Sequence, residues 1–134
     1  MGCIDIEISF SGGKRVEAHY GGFTIKTDQP VADGGFGSAP SPFDLFLTSI
    51  GTCTGFYVLS FCQRNNIPTE NIRLTAHFQK NPGTRLVENV RIDIHVPKDF
   101  PEKYRNAVVK AADLCSVKRH LQNPPTIDIK LVSG

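Results

Sequence analysis

The stretch Ser41-Pro42-Phe43-Asp44-Leu45-Phe46-Leu47-Thr48-Ser49-Ile50-Gly51-Thr52-Cys53-Thr54 leads into an uncharged run from Leu45 to Cys62. Ser41 is suited to cap a helix, and Pro42 suits its first position, where a backbone N–H would go unused. Asp44 completes a Ser-x-x-Asp capping arrangement. The pattern predicts a helix to about Arg64. It is apolar nearly all round, which places it in a core rather than on a surface. Its length approaches a membrane span. Thr48, Ser49, Gly51, Thr52, Thr54, Gly55 and Ser60 fit a buried helix of a soluble protein better.

Upstream, the chain alternates with period two. Ile4, Ile6, Ile8 and Phe10 share one face, with Asp5, Glu7 and Ser9 between them, which predicts a strand. Gly12-Gly13 and Gly21-Gly22 separate two further short runs, Arg15 to Tyr20 and Phe23 to Thr27, and predict successive hairpins. A Gly/Pro/Ser-rich loop from Asp28 to Ser41 is long for a compact domain, and long loops are often functional.

Downstream, Ile72, Leu74, Ala76 and Phe78 alternate, as do Val90, Ile92, Ile94 and Val96 after a turn at Asn81-Pro82-Gly83. Asp99 and Glu102 predict the capped start of a second helix. Tyr104, Ala107, Val108, Ala111 and Cys115 form its apolar stripe. Ile127, Ile129 and Leu131 predict a last strand. The order is βββ-α-ββ-α-β, an α+β fold, with residues 1–134 as a single domain.

Composition agrees with a globular chain. Of 134 residues, 40% are hydrophobic and 21% charged. The net charge of +2 comes from interspersed signs, so no nucleic-acid surface is expected. The N-terminus shows no signal-peptide pattern. The four cysteines, Cys3, Cys53, Cys62 and Cys115, are expected as reduced thiols in a cytoplasmic protein, with no membrane partner.

Cys53 lies mid-helix and Cys115 on the second helix's apolar stripe. Each alone reads as a small core hydrophobe. Together, on elements expected to pack, they are also a candidate redox pair. Cys62 is nine residues from Cys53, two and a half helical turns, and points to the opposite face. His19, His77, His95 and His120 fall in no metal-ligand pattern, so no metal is expected. Gly34-Gly35-Phe36-Gly37 lacks the ending of a phosphate-binding loop. Gly51 and Gly55 form a helix ridge that permits close approach of another helix, which hints at a partner subunit.

The segment from Ser41 to Thr54 resembles the Pro-x-Glu-Leu…Gly-x-Cys helix of the OsmC/Ohr family, the osmotically inducible and organic-hydroperoxide-resistance proteins. Ala111-Ala112-Asp113-Leu114-Cys115-Ser116-Val117 is similar to that family's second cysteine motif, and the element order matches over essentially the whole chain. The Cys-Thr-Gly continuation is most similar to the OsmC-like branch of uncertain substrate.

The resemblance implies an intertwined homodimer, with two central helices wrapped by antiparallel sheets. It implies a thiol peroxidase acting on organic hydroperoxides, with Cys53 peroxidatic and Cys115 resolving. A dithiol reductant such as a protein-bound lipoyl group completes the cycle, and no cofactor is implied. A cation and an acid tune the first thiol. Lys14 falls at the family's arginine position and Arg15 beside it; strand alternation lets only one of them serve. Arg15 is favoured because a guanidinium contacts thiolate and carboxylate together. Asp44 is the acidic position and also a helix cap. Phe46, Ile50, Phe56 and Tyr57 are the expected apolar walls of a substrate pocket. The alternative reading is a non-catalytic dimer that binds an apolar small molecule.

Overall fold

A computed structural model describes residues 2–134. The chain divides into two compact units, Met1–Thr48 and Ser49–Gly134.

In the first unit, β1 (Glu7–Gly12), β2 (Arg15–Tyr20) and β3 (Phe23–Thr27) form an antiparallel sheet in the order β1-β2-β3. Ile8 pairs with Ala18 and Ala18 with Ile25, while Phe10 pairs with Val16. The alternating apolar residues therefore share one face. Gly21 and Gly22 both have positive φ, 51° and 80°, as a two-residue hairpin matched to strand twist requires. The first strand begins later than its pattern predicts, at Glu7. Ile4 and Ile6 precede it, and both are exposed.

The long loop is ordered around one buried carboxylate. Asp28 has no exposed surface. It accepts hydrogen bonds from the N–H groups of Gln29 (2.7 Å), Phe36 (3.2 Å) and Ser38 (3.1 Å), and from Ser38 Oγ (2.6 Å). The Ser38 hydroxyl leads, and with the three N–H groups it outweighs desolvation to hold the Asp28 carboxyl down at about 2. Gly35 is required here: a Cβ on it would collide with the Gln29 carbonyl.

The helix α1 (Pro42–Arg64) starts where the sequence predicts, with the Asp44 N–H donating to Ser41 Oγ at 3.1 Å. It is long and apolar enough to cross a membrane by length and composition. In the second unit its residues Val58, Phe61 and Cys62 join Ile67, Phe100, Val108 and Ala112 in the core. Each large side chain buried there contributes about 1.5–3 kcal/mol. A Cβ on Gly51 would lie 3.8 Å from the Ala76 Cβ, so this part of the ridge packs on a strand of its own chain rather than on a helix. Among the described residues, nothing outside α1's own backbone lies within 4 Å of the place a Gly55 Cβ would occupy.

The strands β4 (Arg73–Lys80) and β5 (Val87–His95) form the second, two-stranded sheet. Leu74 pairs with Ile94 and Ala76 with Ile92, which collects the apolar residues on one face.

The mixed α+β class stands, with two differences in detail. The second helix starts later than Asp99, with a 3-10 turn at Glu102–Tyr104, and is divided into α2 (Arg105–Ala112) and α3 (Ser116–Gln122). Pro97 and Pro101 delay it: the Phe100 N–H turns back to the Pro97 carbonyl instead of opening a helix. The last strand expected over Ile127 to Leu131 is not formed in the single chain. Ile129 is 94% exposed, and no strand among the described residues pairs with it. An alternating segment becomes a strand only where a sheet edge accepts its backbone hydrogen bonds.

Candidate functional site: a thiol pair between two helices

Cys115 is not on a helical stripe. After α2 ends, the N–H groups of Leu114 and Cys115 bond back to Ala111 and Ala112 carbonyls, closing a turn. Cys115 then takes an extended conformation (φ −48°, ψ 127°) as the N-cap of α3, and its carbonyl accepts the Arg119 N–H at 3.0 Å. At this cap position the side chain is a thiol, and it makes no capping hydrogen bond among the described residues.

The Cys115 sulfur is 1% exposed. Burial pushes its pKa up. The Lys118 N–H, the Cys53 thiol, the Thr54 hydroxyl and the Val117 N–H outweigh burial and hold the pKa below the ordinary thiol value. Cys53, half-buried on α1, is thus brought to Cys115. Tyr57, one turn further along α1, shares a 2.8 Å hydrogen bond with the Ser116 hydroxyl. The break between α2 and α3 is therefore held against α1 at two successive residues.

The other thiols are placed differently. Cys62 is fully buried in the core, where desolvation pushes its pKa up. Cys3 is exposed, ahead of β1.

Arg15 and Asp44 lie in the first unit. The Arg15 guanidinium stacks over the Phe36 ring at 5.1 Å, and its Nε donates to the Gly12 carbonyl at 3.2 Å. Lys14 lies in the turn and is exposed. Asp44 is exposed in the first turn of α1. Phe46 stacks with Phe43, ring centres 5.8 Å apart.

The second unit contains a cavity of about 550 Å³. Ile50, Val90, Ile92, Val109 and Leu121 supply apolar wall, and Thr54 joins this cavity to the thiol pair. Of the four residues expected to wall a pocket, Ile50 lines this one. Phe56 is 60% exposed and packs edge-on against Tyr57. The β5 and α3 contributions were not legible in the sequence, because alternation marks Val90 and Ile92 only as inward-facing. Asp93, Asp113 and Lys118 add charge to the lining. Lys118 pairs with Asp113. Burial raises the Asp93 pKa, but the Arg91 guanidinium (3.2 Å) and His77 (3.0 Å) outweigh it and hold the carboxyl below its usual range.

A buried thiol at the break between α2 and α3 and a half-buried thiol on α1 make up the candidate site of an α+β fold. The model of the OsmC-like protein family matches residues 35–130, a span that contains both cysteines, and the chain belongs to that family. No curated protein sequence matches it. Among solved structures, a Psychrobacter arcticus protein assigned to the osmotic stress and detoxification response is 24% identical, with a TM-score of 0.74, covering 89% of this chain and 88% of that one. The organic hydroperoxide resistance protein OsmC of Legionella pneumophila is 18% identical, with a TM-score of 0.60, covering 91% and 92%. An OsmC-like hydroperoxide resistance protein of Jannaschia is 21% identical, with a TM-score of 0.55, covering 96% and 91%. These likenesses establish the fold.

Proposed function

We propose that this protein is a thiol peroxidase that reduces organic hydroperoxides, with Cys53 as the peroxidatic and Cys115 as the resolving residue. The carrying observation is the Tyr57–Ser116 hydrogen bond, which holds the residue after Cys115 against α1 one turn beyond Cys53. Family membership and the hydroperoxide-resistance names of the structural neighbours support a stress-related redox role.

In this reading the Cys53 thiolate attacks the terminal oxygen of ROOH. The O–O bond breaks, the alkoxide takes a proton and leaves as ROH, and Cys53 becomes a sulfenic acid. The Cys115 thiolate attacks the Cys53 sulfur and expels hydroxide, which is protonated to water, and a disulfide remains. A dithiol, such as a lipoyl protein, reduces that disulfide by exchange. The family resemblance makes Arg15 the cation that favours the Cys53 thiolate and Asp44 the acid that orients it. The cavity beside Thr54 takes the organic part of the substrate, with Phe46, Phe56 and Tyr57 as further apolar surface.

The working form in this proposal is a homodimer in the cytoplasm, where thiols stay reduced. Phe10 (85% exposed), Phe56 and the Ile127–Leu131 segment are apolar surfaces of the kind a second copy covers. A second reading, a non-catalytic dimer binding an apolar small molecule, is favoured by the volume of the cavity. Peroxide consumption with dihydrolipoamide separates the two. Cumene hydroperoxide turnover above hydrogen peroxide turnover is expected of the peroxidase; no turnover of either supports the binding protein.

A further inference from the structure

The three-stranded sheet has a polar face opposite Ile8, Ala18 and Ile25. On it, Glu7 and Ser9 of β1 stand beside His19 and Glu17 of β2, and Thr24 and Lys26 of β3 complete the two rows. Side chains alternate in step on paired strands, so these six residues point to one side. The His19 ring bridges all three strands. Its Nε2 is 3.1 Å from Ser9 Oγ, and its Nδ1 is 3.2 Å from Thr24 Oγ1. Ser9 and Thr24 are exposed and the His19 side chain is 42% exposed, so a small molecule can reach the group.

A neutral imidazole has one N–H and one bare nitrogen. With the proton on Nδ1, the ring donates to Thr24 Oγ1, and the bare Nε2 accepts the Ser9 hydroxyl hydrogen. A hydroxyl bonded to a base that a third group orients is the arrangement that activates a serine. We infer that Ser9 is a nucleophile activated by His19, with Thr24 as the positioning residue for the ring, and that Ser9 is a site of modification by activated acyl esters. Ser9 Oγ attacks the ester carbonyl while Nε2 takes its proton. The tetrahedral adduct then expels the alcohol part of the ester, which leaves with that proton, and acyl-Ser9 remains. The sheet face is open, and the step is one acylation per chain. Neither Cys53 nor Cys115 takes part, so the inference stands apart from the peroxidase reading.

The charged neighbours of the ring lie on the same face. Glu17 Oε1 is 3.9 Å from Nε2, Glu7 pairs with His19 across β1, and Lys26 of β3 pairs with Glu17. At low pH the ring carries a proton on both nitrogens and cannot accept the one from Ser9.

The test incubates the protein with p-nitrophenyl acetate and locates acetyl groups by peptide mass spectrometry. Acetyl-Ser9 is expected. His19→Asn should slow its formation on the order of a hundredfold, at the lower end of what a positioned base supplies. Thr24→Val should slow it on the order of fivefold, as loss of one hydrogen bond to the ring implies. Thr24→Ser keeps the hydroxyl and follows the wild type. An unlabelled Ser9, or one labelled equally fast in His19→Asn, overturns the inference. Should the asparagine variant fail to fold, the wild type decides. Its labelling rate should fall towards low pH along the curve on which the His19 ring protons titrate, and ¹⁵N shifts should place the neutral ring's proton on Nδ1. A rate indifferent to that titration, or a proton on Nε2, overturns it.

Discussion

Tyr57 and Ser116 lie 59 residues apart in sequence and share a 2.8 Å hydrogen bond between their hydroxyl oxygens. The bond fastens the first residue of α3 to α1 one turn beyond Cys53. It holds the second thiol's backbone next to the first. Tyr57→Phe removes the bond and leaves the ring. It should cost about 1 kcal/mol of stability. It should also slow Cys53–Cys115 disulfide formation, because the α3 cap is freed to move. Urea unfolding and stopped-flow oxidation measure the two effects, and an unchanged oxidation rate would show that the bond does not position the thiols.

The cysteines are predicted to divide the catalytic cycle. Cys53→Ser should abolish peroxide turnover, since a serine hydroxyl stays protonated at neutral pH. Cys115→Ser should permit a single turnover and leave Cys53 as sulfenic acid, which excess peroxide drives to sulfinic acid. Intact-mass spectra read these as additions of one and two oxygens. Cys3→Ser should leave turnover as it is. A disulfide also requires the two Cα atoms within about 7 Å, and peptide mapping of the oxidised protein should find Cys53 joined to Cys115.

The loop from Asp28 to Ser41 should be acid-sensitive. The folded Asp28 carboxyl lies at about 2, below the ordinary value of 3.8. Its contribution is therefore fully present above pH 4 and is lost as the pH falls from about 4 towards about 2. Asp28→Ala leaves the N–H groups of Gln29, Phe36 and Ser38 without their acceptor. Limited proteolysis should then cut between Asp28 and Ser41 at neutral pH, where the wild type resists. Persistence of the intact chain would locate the loop's order elsewhere.

Gly35→Ala tests the same loop sterically. The added methyl meets the Gln29 carbonyl, which is backbone and cannot rotate away. A loss of about 1–3 kcal/mol is expected, read as a lower urea midpoint.

The dimer proposal makes its own prediction at Gly55, which faces open space in the single chain. Gly55→Leu should leave the monomer fold intact and weaken association of two copies, seen as a concentration-dependent shift in sedimentation. A wild-type chain that sediments as a stable, folded monomer would refute the dimer.

The local elements were legible in the sequence because short-range rules govern them. Ser41 and Pro42 start α1 where capping chemistry places it, and paired glycines with positive φ close the β2–β3 hairpin. Alternation put Leu74, Ala76, Ile92 and Ile94 on one face. The resemblance to OsmC/Ohr proteins marked Cys53 and Cys115 as the residues to watch. What the sequence alone could not decide depends on groups distant along the chain. Cys115 reads as one more apolar position on a helix; only the turn after Ala112 makes it a cap, and only packing on α1 brings it Cys53, Thr54 and a neighbour tied to Tyr57. Asp28 reads as an ordinary loop aspartate until the chain returns ten residues later to bury it under Ser38. Ile127, Ile129 and Leu131 carry the alternation of a strand without forming one, since a strand is completed by a partner's backbone and not by its own side chains. Periodicity reports which way a side chain faces, whereas the tertiary structure decides what it meets there.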